Sequence, residues 1–304
     1  MVAGLYSLDR LGGMPQRAVL VVLLSAFLNS FGGLIVRSLD GSSEWQVVFY
    51  RGGSLAVALL IFLFRQRIAD GLRAFKRVGI WGVICGVFFC NMQTLFIISL
   101  SNTTVANTSF ILSSGPIVTA VLARLALGEG VRKSTMAVLL VVVAGVSLMV
   151  VDGLATGNVF GDLAAVGAML SLAGFVVTLR AKRQIDMLPS LVIGGFLAAL
   201  ISAGAVRGAV AVPTDDLLLC VFWGGILSAV VLVLFTSAAR HLNGAVVMVL
   251  LMVEYFLGPL WVWLFIGERP SQLALLGGAI ILSGVLCQAY ISRRDTQTPT
   301  PVTS

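Results

Sequence analysis

Long apolar stretches of about twenty residues recur along this chain, and that recurrence limits the fold more than any other feature. A helix needs about 20 mostly apolar residues to cross a hydrocarbon core about 30 Å thick. Ten such stretches can be read: Ala18 to Val36, Trp45 to Phe64, Val78 to Ser99, Thr103 to Ala123, Ser134 to Val151, Leu163 to Leu179, Met187 to Val206, Leu217 to Ala239, Leu242 to Ile266 and Ser271 to Ile291. The second contains Arg51 and the ninth Glu254. The third and fourth run together without a charge. They are divided at Ser101-Asn102-Thr103-Thr104, since one helix there would be about twice as long as a bilayer is thick. Composition agrees: 59% of residues are hydrophobic and 11% charged, against about 25% charged in soluble domains. The expected fold is an all-α integral membrane protein of ten transmembrane helices. Residues 1–17 form a cytoplasmic segment, and the stretch 292–304, rich in Thr and Pro, reads as a disordered tail.

The formal net charge of +7 is explained by topology rather than by a nucleic-acid partner. With the N-terminus placed in the cytoplasm, fifteen Lys and Arg residues fall on that side and only Arg37, Arg207 and Arg269 on the other. Basic residues gather in cytoplasmic loops, so both termini are read as cytoplasmic. Asp40, Glu44, Asp152, Asp162, Asp215, Asp216 and Glu268 are then assigned to the outer loops.

The chain also repeats itself. An offset of 139 residues lays Ser114-Gly115-Pro116 on Val253-Glu254-Tyr255, Leu127-Gly128-Glu129 on Ile266-Gly267-Glu268, and Ala144-Gly145-Val146 on Ser283-Gly284-Val285. Residues 18–151 and 160–291 thus read as two five-helix repeats. Five is odd, so the second starts from the opposite face and the repeats are inverted. Secondary transporters recurrently use this plan, with a site near the midplane between repeats.

Among polar residues within the spans, Glu254 is the sharpest. It lies about 12 residues into its span, where a carboxylate costs at least ~2.5 kcal/mol to insert and should face protein or water. Substrate contact or proton coupling competes with a purely structural carboxylate. Asn243 lies 11 positions earlier, about three turns away and on the same face. Arg51 lies near 9 Å below the outer interface at about 1.5 Å per residue; it can snorkel, pair with an acid or receive an anionic group. The amides Asn29, Asn91, Gln93 and Asn107, together with Tyr255, are further candidates for the substrate site, since an unpaired amide in lipid is costly. The Ser, Thr and Gly stripes Ser25–Gly32 and Gly167–Thr178, and the spacings Gly82/Gly86 and Gly204/Gly208, fit close helix packing.

Several chemistries are excluded. A single histidine, His241, rules out HExxH, and no GxSxG or Walker-type loop occurs. Cys85, Cys90, Cys220 and Cys287 lie in apolar stretches without metal-ligand spacing. No cofactor, metal or nucleic-acid partner is expected. The partners implied are a small-molecule substrate and the lipid bilayer, and oligomeric state is left open.

Trp261-Val262-Trp263-Leu264-Phe265-Ile266-Gly267-Glu268-Arg269-Pro270, preceded by Glu254 and Pro259, resembles the ninth span of EamA-type members of the drug/metabolite transporter superfamily. Pro116 with Gly128-Glu129 resembles the fourth span, and Phe49-Tyr50-Arg51 the second. Gly115 stands where many relatives carry a carboxylate, so only Glu254 fills that role. The resemblance implies a ten-helix carrier of the bacterial inner membrane, its cavity built from the first, third, fourth, sixth, eighth and ninth spans. It further implies alternating access and export of a small metabolite such as an amino acid. Broad extrusion of toxic compounds is the alternative, ahead of a membrane scaffold, a receptor or an intramembrane enzyme. The charge bias makes a direct prediction. A cysteine introduced at Ser43 should react with an impermeant thiol reagent on intact cells, and one at Ala69 should not; the reverse pattern would overturn the orientation.

Overall fold

Hydrocarbon cannot hydrogen-bond a peptide group, so a chain this apolar must satisfy its backbone within helices or a closed barrel. The computed structural model describes residues 15–65, 68–128, 133–239, 242 and 244–297, and these are helical with no strand among them. The helices are α1 (Pro15–Asn29), α2 (Gly32–Arg37), α3 (Glu44–Phe64), α4 (Ile68–Asn102), α5 (Val105–Ser113), α6 (Gly115–Leu127) and α7 (Lys133–Thr156) in the first half. The second half holds α8 (Val159–Ala181), α9 (Leu188–Ala205), α10 (Thr214–Val221), a π-helical turn (Phe222–Leu227), α11 (Ser228–Ala239), α12 (Gly244–Ile266) and α13 (Gln272–Gln297).

Eight segments are long and apolar enough to cross a membrane, and two shorter apolar helices, Leu250–Ile266 and Gln272–Gln288, follow them. In order they fall on the ten stretches read from the sequence. The division between the third and fourth lies where Ser101–Thr104 placed it: α4 stops at Asn102, and the Thr104 hydroxyl caps α5 by accepting from the Asn107 N–H at 3.1 Å. The outer surface is apolar, with Leu140 69% and Leu200 71% exposed, which suits lipid and would be a liability in water.

Three differences from the sequence reading stand out. Glu44, Asp152, Asp162, Asp215 and Asp216 are not loop residues; they lie within α3, α7, α8 and α10. Helix α13 runs on to Gln297, so the first part of the segment 292–304 is helical rather than a disordered tail. The spacings Gly82/Gly86 and Gly204/Gly208 do not both mark close packing, since nothing lies near a side chain built at Gly204, and Gly208 sits in a turn.

The close approaches include Gly86 but otherwise lie at other glycines, and they join the two halves. Gly52 of α3 meets Gly195 of α9, Gly86 of α4 meets Gly194 of α9, and Gly145 of α7 meets Gly277 of α13. Missing side chains let these backbones touch, which suits a medium where helices associate through van der Waals contact rather than through expulsion of water. The most extensive packing follows the same rule. Helix α4 lies on α8 and α9, α3 on α9 and the π-helical turn, α7 on α13, α1 on α11 and α12, α5 on α12, and α6 on α8. Each of these pairs crosses from one half to the other.

Two helix ends share a device. Gly128 ends α6 with φ 68° and Gly267 ends α12 with φ 79°. Glycine enters this left-handed region without a Cβ penalty, and the two lie at the spacing of the repeat. Packing at the glycine contacts can be tested directly. A Cβ at Gly195 would come within 2.7 Å of the Gly52 carbonyl oxygen. Gly195→Leu should therefore cost about 1–3 kcal/mol, seen as a lowered unfolding temperature in detergent, while Gly204→Leu should leave it unchanged or raised.

Candidate functional site

The first span is interrupted about two-thirds of the way along. Helix α1 ends at Asn29, the chain turns at Ser30 and Phe31, and α2 restarts at Gly32. The Ser30 hydroxyl donates back to the Phe27 carbonyl oxygen at 2.6 Å, the local bonding by which serine disturbs a helix. Helix α12 of the other half grips this break. Trp261 donates its indole N–H to Ser30 Oγ at 2.9 Å and stacks on Phe31, centroids 5.3 Å apart and planes 4° from parallel. Phe27 meets the same indole edge-on at 5.9 Å. Pro259 within α12 has no N–H, so the Tyr255 carbonyl loses its usual helical partner.

Glu254 lies about two turns before Trp261 on this gripping helix. Asn29 Nδ2 donates to Glu254 Oε1 at 2.6 Å. At about 1.5 Å per residue, Glu254 is roughly 15 Å from the start of α12 and roughly 18 Å from its end, near the middle of the span. The carboxylate is thus held between halves at a helix break. Tyr255 turns elsewhere and packs on the apolar cluster around Ile111, Ile117 and Met252.

Arg51 and Gln93 form a second polar pair. Arg51 Nη1 donates to Gln93 Oε1 at 2.8 Å. The guanidinium carbon lies 4.3 Å from the centroid of the Trp223 ring and 6.0 Å from that of Phe96. Trp223 belongs to the π-helical turn, and its other edge faces Gly32, where an added Cβ would lie 3.1 Å from the ring. Trp223 therefore stands between the α1–α2 break and Arg51. Wider π-helical turns are often found at functional sites; this one lets Gly224 press against the Arg51 carbonyl oxygen.

The remaining candidates separate. Asn107 meets Asp162, not Glu254: its Nδ2 donates to Asp162 Oδ1 at 2.9 Å, and Thr103 Oγ1 donates to the same oxygen at 2.6 Å. Asn91 is exposed on α4 and joins neither group. Asn243, Glu129 and His241 lie outside the described residues. Gly167 and Gly174 are filled by Leu95 and Phe88, which makes their stripe a packing surface between α8 and α4.

Sequence reasoning missed Asp162, which is 0% exposed in the first turn of α8. Two signals pointed to it: an acid in a first helical turn is favoured by the helix dipole, and Gly161 beside it lets Asn102 and Thr103 approach. Asp162 belongs to a belt of polar contacts at the acidic end of the bundle. Arg37 Nε pairs with Glu268 Oε2 at 2.7 Å and Arg37 Nη2 donates to the Thr103 carbonyl at 2.7 Å. Glu268 Oε1 also accepts the Val105 N–H at 2.7 Å, at the start of α5. Ser42 Oγ donates to Asp216 Oδ2 at 2.6 Å, Tyr50 to the Val210 carbonyl at 2.9 Å, and Ser271 Oγ to Asp152 Oδ2. Every side-chain contact in this belt except the Arg37–Thr103 bond joins one half to the other.

Apolar crossing helices with polar groups turned inward define a multi-pass membrane protein. Comparison with known proteins carries this further: residues 16–151 match the EamA-like transporter family. The chain carries an EamA-like transporter domain in its first half, as the resemblance of its spans implied. No curated protein matches the chain. A solved crystal structure of a protein shares the fold with TM-score 0.64 at 17% identity, over 91% of this chain and 99% of that one. The belt makes its own prediction. In a double-mutant cycle of Arg37→Ala and Glu268→Ala, unfolding in detergent should show a coupling of about 1 kcal/mol or more; additive losses would mean that the pair contributes nothing jointly.

Proposed function

We propose that this protein is a secondary carrier that moves a small polar or amphipathic metabolite across the bacterial inner membrane by alternating access, with export as its direction. In this reading ten helices span the membrane as two inverted five-helix repeats, with both termini in the cytoplasm. The basic loops support that orientation. The packing supports the repeat. If each span is exchanged for the one five places along, α4 on α8 becomes α11 on α1, α4 on α9 becomes the π-helical turn on α3, and α6 on α8 becomes α12 on α1. The pairs α3 on α9, α5 on α12 and α7 on α13 map onto themselves. Such exchange is what a two-fold relation between halves requires.

The observation that carries the reading is the Asn29–Glu254 hydrogen bond at the α1–α2 break. Interrupted helices facing each other near mid-membrane are where such carriers bind substrate and coupling ions. A carboxylate there is expensive to keep, and Asn29 alone does not use its full accepting capacity. Substrate or a proton takes up the remainder. The belt at the acidic end holds the halves together on one side, and transport requires that it open while the opposite end closes.

Glu254→Gln tests this. It keeps shape and hydrogen-bonding capacity but deletes the charge, so the variant should insert and fold normally. Efflux of the metabolite that overexpressing cells lose fastest, measured again in liposomes, should fall at least tenfold or lose its pH dependence. Wild-type flux with unchanged pH dependence in the Gln variant would make Glu254 a packing residue.

A further inference from the structure

We propose that Arg51 and Gln93 form a subsite for a carboxylate on the transported molecule, so that the substrates are small carboxylate-bearing metabolites. The inference rests on the carrier reading above and deepens it.

Arg37 and Arg51 both belong to spans that reach the acidic end of the bundle, and they are paired differently. Arg37 has the Glu268 carboxylate at 2.7 Å. Arg51 has no acidic partner among the described residues; the one hydrogen bond of its guanidinium goes to a neutral amide oxygen. At about 1.5 Å per residue it lies about 10 Å along α3 from Glu44, a depth at which an uncompensated cation is costly. Stacking on Trp223 and Phe96 lowers that cost, but a ring face does not replace a counter-ion.

The unused donors indicate what is missing. Arg51 Nε and Gln93 Nε2 are buried and have no hydrogen-bond partner. Gln93 is 2% exposed, and its Oε1 is already bound to Arg51 Nη1. Arg51 Nε and the Gln93 amide N–H therefore form a pair of adjacent donors closed over by protein without an acceptor, which a change of helix packing would have to uncover. This set consists only of donors, carries one positive charge and is flanked by apolar rings. A carboxylate matches it: two oxygens span the fork edge, the second can also accept from Gln93, and the single charge cancels the guanidinium. A doubly charged phosphate would need a second cation, and among the described residues none is bonded into the cluster.

Trp223 is a built-in reporter because it stacks on the guanidinium. The full chain in detergent is titrated with sodium acetate, with acetamide as neutral isostere and sodium chloride as ionic-strength reference. Acetate should change tryptophan emission saturably and acetamide should not. Arg51→Gln should shift the acetate midpoint at least tenfold. Gln93→Glu guards against a folding artefact: its carboxylate should pair with Arg51, keep the unfolding temperature at or above wild type and abolish the acetate response. An absent or unsaturable acetate response, an equal response to acetamide, or an acetate response that survives in Gln93→Glu would overturn the subsite. The two readings fail separately. Export of metabolites that all lack a carboxylate removes the subsite and leaves the carrier, whereas inert liposomes with intact acetate saturation remove the carrier and leave an anion site.

Discussion

Hydrocarbon returns nothing to a polar group that loses its partner, so each polar side chain within the spans must be satisfied by another helix, by its own backbone or by bound solute. The protein meets this constraint chiefly across its midline. Asn29 with Glu254, Arg37 with Glu268, Asn107 with Asp162 and Ser271 with Asp152 each join a residue of the first half to one of the second. The glycine contacts of α3, α4 and α7 do the same for backbones. Halves held in this way cannot drift apart. A large motion has to exchange one set of partners for another, and that favours a few discrete arrangements over a continuum.

Irregular backbone is placed where those partners meet. The α1–α2 turn presents Asn29 and Ser30 to α12, the π-helical turn presents Trp223 to Arg51, and the break at Ser114 is set by a hydroxyl that bonds its own Ile111 carbonyl and by Pro116 without an N–H. Interruptions of this kind are tolerated at membrane depth only where protein or a water-filled cavity surrounds them. They also divide long rods into shorter ones that can tilt separately. The regular helices α7 and α13, packed along Gly145 and Gly277, have no such break in their apolar middles.

Much of this was legible in the amino-acid order. Spans could be located because the cost of inserting a segment is close to a sum over about twenty residues, which a linear reading can perform. The Gly128 and Gly267 caps could be read as equivalent because a left-handed helix end selects glycine locally. Glu254 stood out because a charge at mid-span is expensive whatever surrounds it. Partners could not be read. Asn107 reads as a neighbour of Glu254 but bonds Asp162; Asp162 reads as a loop residue but is buried; Asn91 reads as equivalent to Gln93 but is exposed, two residues and about 200° around α4. The sequence alone therefore determined that the chain crosses a membrane repeatedly and which polar groups need an answer there. Only the tertiary structure decided which helix supplies each answer, because a hydrogen bond depends on contact within about 3 Å between segments that can lie 225 residues apart.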